Sequence, residues 1–221
     1  MRAFLTGRRV LAPLAAALAL AGCNANDDDG SAGLPTGGSA VKTLKTLKVT
    51  PSLGRISNAR VILRNAANRS GPVLGDLPLI SGSASFNIPA GVRAVVAEVV
   101  PEASGTVRYF DEALGRFVDV VITAANRNTP LLRAAAPVSA GNADLGVTAM
   151  TEAALRLAER SAGGAGANLA PEQIAPARAT IQSVFGIPDI LLPPALVDEP
   201  RDLAGLGTSA AEQYALRLAA L

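Results

Sequence analysis

SASFNIPAGVRAVVAEVV, residues 83–100, holds two strand patterns back to back. In SASFNIP (83–89), Phe86 and Ile88 point one way and Ser85 and Asn87 the other, the period-two alternation of a half-buried strand. RAVVAEVV (93–100) is apolar on both faces, which predicts a central strand. Outward from this pair the same signal recurs. ARVILRN (59–65) sets Val61 and Leu63 on one face, and TVRYF (106–110) and RFVDVVI (116–122) follow downstream. Turn signals separate the runs: NRSG (68–71), SGS (81–83), Ala90-Gly91, ASG (103–105) and Leu114-Gly115. Short strands at this spacing predict a β-sandwich over residues 41–147.

The order of these segments resembles the carboxypeptidase-regulatory-like, or transthyretin-like, β-sandwich. In that family a strand of the form small-Ala-x-Val-x-Leu leads to a Gly-x-Phe-x-Ile-Pro-x-Gly hairpin and then to a Val-rich strand. The matching residues here are Ala59, Val61, Leu63, Phe86, Ile88, Pro89 and Gly91, while Ala84 stands where the hairpin's first glycine is usual. The resemblance covers about half of the β segment, and its motifs specify packing. It implies an accessory, adhesion or structural module, and none of the matched residues is catalytic in the family.

Composition changes after Gly146. In VTAMTEAALRLAERSAGG, Met150, Ala154, Leu157 and Ala158 share a helical face, and Gly163-Gly164 supply a stop. PEQIAPARATIQSVFG opens with Pro171, suited to a first helical position, and carries an apolar stripe of Ile174, Ala177, Ile181, Val184 and Phe185 closed by Gly186. Pro176 predicts either a kink or a later start to that helix. IPDILLPPALVDEPRD reads as a proline-rich connection, and Ser209-Ala-Ala-Glu212 is a capping box opening a last helix. The predicted class is therefore α+β: an antiparallel sandwich followed by a small helical region, 148–221. The pattern VTxxTEAA followed by FG-I-x-DIL looks like the helical region of exported bacterial lipoproteins with sandwich domains. Tyr214, Leu218 and Leu221 leave the last helix apolar to its end. Either they dock on the sandwich or the chain continues in a longer protein.

The amino-terminal residues carry a different message. MRAFLTGRR (1–9) has three arginines and no acid, and VLAPLAAALALA (10–21) is a 12-residue apolar run broken only by Pro13. A membrane-spanning helix needs about 20 residues. A basic start, a short apolar run and small residues describe a secretory signal peptide, here 1–22. Leu20-Ala21-Gly22-Cys23 resembles the bacterial lipobox, and Cys23 is the only cysteine in the chain. The resemblance implies cleavage between Gly22 and Cys23, a thioether diacylglycerol on Cys23 and acylation of the new terminus. Two or more acyl chains anchor a protein stably where one does not. Ordinary signal cleavage would instead leave Cys23 as a free thiol or remove it. Asn24, where an Asp would resemble an inner-membrane retention signal, favours the outer membrane in a Gram-negative host.

NANDDDGSAGLPTGGSA (24–40), with Cys23 before it, has the composition of a flexible acidic tether. Its aspartates do not fit a calcium loop. A frame starting at Ala25 puts Asp27, Asp29 and Gly30 at positions 3, 5 and 6, but Thr36 at the position that needs glutamate.

Charge and residue types narrow the function classes. Three of the 20 basic residues (Arg2, Arg8, Arg9) and none of the 18 acids precede Cys23, leaving 17 against 18, net −1. Nucleic-acid binding thus has no electrostatic support. The chain has no histidine, so a Ser-His-Asp triad and the commonest zinc ligand are excluded. Lys42, Lys45 and Lys48 read as a solvated strand edge, and SAGGAGAN (161–168) as a helix stop and linker with no phosphate-loop spacing. Asp111-Glu112 and Asp198-Glu199 are the candidate carboxylate pairs, with turn chemistry the ordinary account of the first. Asn68-Arg69-Ser70 reads as a bare turn.

These observations predict no catalytic residue, no metal site and no cofactor. They predict an exported lipoprotein held to the envelope through Cys23, a non-catalytic binding or structural module whose partner is an envelope protein or glycan. The alternative is an accessory part of a larger anchored enzyme. A third expectation, a small-ligand carrier, requires an apolar cavity, with aliphatic walls because only five Phe and two Tyr occur.

Overall fold

The computed structural model describes residues 45–102, 106–111, 113–139, 141 and 143–221. In chain order the strands are β1 (Lys45–Pro51), β2 (Ile56–Ser57), β3 (Ala59–Asn65), β4 (Gly75–Pro78), β5 (Ala84–Ile88), β6 (Ala94–Pro101), β7 (Thr106–Asp111), β8 (Arg116–Val121), β9 (Leu132–Pro137) and β10 (Ala143–Val147). The helices are α1 (Ala149–Ser161), α2 (Pro171–Phe185), the single-turn α3 (Pro200–Ala204) and α4 (Ala210–Ala219). The fold is α+β, with strands first and helices last.

Three sheets form, in the orders β4-β3-β6-β9, β10-β1-β5 and β2-β7-β8. All pairings are antiparallel except β1 with β10. The first two sheets pack face to face. Val61 and Leu63 of β3, Val95, Ala97 and Val99 of β6, and Leu132, Ala134 and Ala136 of β9 meet Leu47 and Val49 of β1, Phe86 and Ile88 of β5, and Leu145 and Val147 of β10. These are alternate residues on each strand, as period-two patterning requires.

β6 lies between β3 and β9, and its second face is buried as well. There Ala94 and Val96, with Ala66 and Ala135, pack against Leu155 and Ala158 of α1, Leu169, and Ile174 and Ala177 of α2. Small side chains on the sheet let the helices approach closely. The layers are thus sheet, sheet and helices, which explains why RAVVAEVV carries apolar residues on both faces, with Glu98 as the acid among them.

Several expectations need correction. β1 is not an edge strand, because β10 and β5 pair with it on both sides. Lys48 is exposed between buried Leu47 and Val49, and Lys45 reaches the Val138 carbonyl at 3.4 Å. Lys48 therefore marks the solvent face of a central strand, Lys45 begins the opposite face shared with Leu47 and Val49, and Lys42 lies outside the described residues. Pro176 does not delay α2, which starts at Pro171 with the Gln173 side chain accepting the Ala170 N–H at 2.8 Å. Val184 is 69% exposed and does not belong to the buried stripe of α2, whereas Ile181 and Phe185 pack against Met150, Ile187 and Tyr214. Gly186 closes α2 in the left-handed region at φ 62°, the conformation glycine adopts at least cost.

α1 begins with a reciprocal cap. Thr148 Oγ1 accepts the Thr151 N–H at 3.3 Å, and Thr151 Oγ1 accepts the Thr148 N–H at 2.8 Å. Tyr214 of α4 docks onto this cap. Its hydroxyl donates to the Ile190 carbonyl at 3.2 Å and so accepts from Thr148 Oγ1 at 2.6 Å. The last helix is thereby pinned to the first.

Candidate functional site

Gly22 and Cys23, and the aspartates of the 24–40 segment, lie outside the described residues, as does Glu112. Asp111 Oδ1 accepts the Leu114 N–H at 2.8 Å, the turn role expected of it. Asp198 pairs with Arg55 at 2.8 Å, and Glu199 with Arg201. The glycine-rich 161–168 segment stops α1 as expected, and it also serves a charged cluster. Gly166 N–H donates to Glu159 Oε1 at 3.1 Å, and Asn168 Oδ1 accepts the Arg69 N–H at 2.9 Å.

That cluster sits where α1 crosses the outer face of β6 and β9. Glu98 and Arg133 are register partners on those strands. Glu152 and Glu159, two helical turns apart on α1, face them. Arg133 bonds Glu152 at 2.7 Å and Glu159 at 3.0 Å; Arg69 pairs with Glu159 and reaches Glu98 at 3.4 Å; Arg64 bonds Glu98 at 2.9 Å. Arg156 closes the chain onto Glu152 at 2.7 Å.

Burial works against the charge on Glu152, but hydrogen bonds from Arg133 and Arg156 outweigh it and hold its carboxyl below the usual range. Burial likewise opposes ionisation of Glu159. Hydrogen bonds from Arg69 and the Gly166 amide, with the charges of Arg133 and Arg69, reverse that effect. These carboxylates are ionised and occupied at neutral pH, so the cluster joins helix to sheet rather than offering a proton donor. The signal for it was present in the sequence: one acid inside an apolar strand, and two acids seven residues apart on a buried helix face.

A broad surface hollow of about 490 Å³ lies beside the cluster, lined by Arg156, Glu159, Arg160 and residues 163–165, and a smaller cleft lies elsewhere. A cleft of about 180 Å³ opens between the β1–β2 connection (Ser52, Leu53), the end of β7 and its turn (Tyr109, Phe110, Asp111, Ala113), the first residue of α1 (Ala149) and the end of α4 (Leu218), with Leu221 beside it. Contrary to the aliphatic walls expected, two adjacent aromatics line it. Gly54 shapes the connection: its φ is +60°, and a Cβ there would lie 2.3 Å from the Phe110 carbonyl oxygen. Behind the cleft, Phe110 packs on Val197 and Ala215 and meets the Phe117 ring edge-on at 5.4 Å.

Ser52 is 1% exposed; its N–H donates to the Val147 carbonyl at 2.9 Å, but its Oγ has no hydrogen-bond partner. A buried polar group left unpaired costs about 1–3 kcal/mol.

Among the described residues, no three His, Cys, Asp or Glu side chains are grouped to hold a metal ion, and no helix is long and apolar enough to cross a membrane. No protein-family model, curated protein or solved structure matches the chain.

Proposed function

We propose that this chain is an exported lipoprotein, attached to the cell envelope through lipid on Cys23, that acts as a non-catalytic binding or structural module. The observation that carries the reading is Leu20-Ala21-Gly22-Cys23, which places the sole cysteine directly after a 12-residue apolar run with a basic start. The acidic, Gly- and Ser-rich 24–40 segment suits a spacer between lipid and folded unit. The likeness to carboxypeptidase-regulatory-like sandwiches supports an accessory role. Engagement of Glu98, Glu152 and Glu159 by arginines supports a scaffold rather than a reaction centre. In a Gram-negative host, Asn24 after the cysteine directs the protein to the outer membrane, where the partner is an envelope protein or glycan.

The test is expression of the full chain and of Cys23→Ser in a bacterium fed labelled palmitate, followed by membrane fractionation. The native chain takes up label and sediments with membranes; Cys23→Ser does neither. An unlabelled native chain in the soluble fraction refutes the anchor.

A further inference from the structure

We propose that β8 is a docking edge for a second copy of this chain, and that two β8 strands pair antiparallel about a two-fold axis at Val118. This goes beyond the function proposed above and does not depend on the anchor.

The main chain supplies the first argument. β8 is the outer strand of the order β2-β7-β8. The edges of the other two sheets lie against each other, β4 beside β5 and β9 beside β10. Opposed residues in an antiparallel pair alternate between exchanging hydrogen bonds and turning away from each other. Phe110 gives its N–H to the Arg55 carbonyl, on the β2 side, at 3.2 Å. Its register partner Phe117 therefore turns its own N–H and carbonyl away from β7, as do Asp119 and Val121. The Asn126 side chain donates to the Val121 carbonyl at 3.0 Å and closes the edge there. The main-chain N–H and carbonyl of Phe117 and Asp119 have no partner among the described residues. An open row of such groups is a template for another strand.

The spacing of these two residues makes the edge complementary to itself. With the axis at Val118, Phe117 of each copy exchanges N–H and carbonyl with Asp119 of the other, and every open group is used. Moving the axis to Asp119 would oppose two carboxylates and set Phe117 against Val121, whose carbonyl is already taken. The side chains agree with the first register. Arg108 lies over the Phe117 ring, 4.5 Å from its centre, and 3.8 Å from Asp119. In the pair, Asp119 of the second copy stands beside Phe117 and so approaches a second arginine. Phe117, 45% exposed, loses solvent on the same face. Any extended strand satisfies the main-chain groups; the match of charge and register singles out β8 itself. A single strand pair belongs to the weak, transient class of interface, so trapping is the suitable measurement.

The test is disulfide trapping in the full chain. In the proposed pair the two Val118 residues are opposed without exchanging hydrogen bonds, with Cα atoms about 4.5 Å apart, within the reach of a disulfide. The two Asp119 residues lie about 9 Å apart, beyond that reach. Val118→Cys, Asp119→Cys and Val120→Cys are each oxidised mildly, and linked peptides are identified by mass, so that Cys23 does not enter the result. The 118–118 link should exceed those at 119 and 120 by about tenfold or more. Asp119→Pro in the Val118→Cys chain should abolish the link without changing the circular dichroism spectrum, because proline is tolerated at a strand edge whose N–H faces solvent. Asp119→Lys keeps the main chain intact but sets a like charge beside Arg108 of the second copy, and should cut the link several-fold.

Absence of a 118–118 link overturns the proposal. So does an equal yield at 119 or 120, or a link that survives Asp119→Pro in a folded chain. If Asp119→Pro unfolds, an undiminished link in Asp119→Lys removes the charge match and with it the choice of a second copy.

Discussion

Tyr214 ties the last helix to the first through one hydroxyl, and burial pushes that hydroxyl's pKa up to about 12, with the Thr148 hydrogen bond opposing and the Asp189 charge adding. A raised value for a group that is neutral when protonated means the folded state favours the neutral phenol. Its contribution is complete below pH 10, the ordinary tyrosine value, and is lost as pH rises toward 12. Ultraviolet titration should therefore show a tyrosinate step near the top of that window, and Tyr214→Phe should remove it. The same variant keeps the ring but strands the Ile190 carbonyl and the Thr148 hydroxyl. It should lower the unfolding free energy by about 1–2 kcal/mol in urea.

Glu159 predicts the acid limb. Its carboxyl is depressed below 4.5, so its contribution is complete above that pH and lost as pH falls through the lower folded-state value. Glu159→Gln should flatten the loss of stability with acid. Glu159→Ala, which removes one partner of a buried cluster, should cost on the order of 3 kcal/mol at neutral pH. An unchanged urea midpoint for Glu159→Ala would contradict the joining role.

At the scale of elements, α2 carries a visible flaw. Pro176 is exposed inside the helix and has no N–H to give the Glu172 carbonyl. Pro176→Ala should raise stability by about 1–3 kcal/mol. Gly54→Ala should act oppositely, by on the order of 2 kcal/mol or more, because it combines a positive φ with a clash against backbone. Thermal or urea unfolding of the two variants checks both signs.

The elements that sequence reading found are those whose side chains alternate cleanly or cap recognisably. β3, β5, β6, β7 and β8 fall where the alternation places them, and the Ser209–Glu212 box opens α4. β9 (LRAAAP) was not legible, since alanine favours helix in isolation. It becomes a strand because β6 supplies its ladder and because only small residues fit between sandwich and helices. β1 was misplaced for a related reason. An exposed lysine such as Lys48 signals a solvent face, but it does not say whether both edges of the strand are paired. The cleft was invisible because its lining comes from four separate segments, and Ser52 differs in no sequence feature from the other serines.

Taken whole, strands and helices belong to one compact unit, which the charged cluster and the Tyr214 contact bind together. Circular dichroism at a helical wavelength and tyrosine fluorescence should thus report coincident unfolding transitions. Two separated transitions would mean that the sandwich and the helical region fold independently. In the function proposed above, lipid on Cys23 holds this unit at the envelope. The most direct test of that attachment is the intact mass of the native protein extracted in detergent. Lipidation at Cys23 predicts a chain beginning at that residue and carrying a diacylglycerol and an amide-linked acyl group. A mass corresponding to an unmodified chain would contradict it.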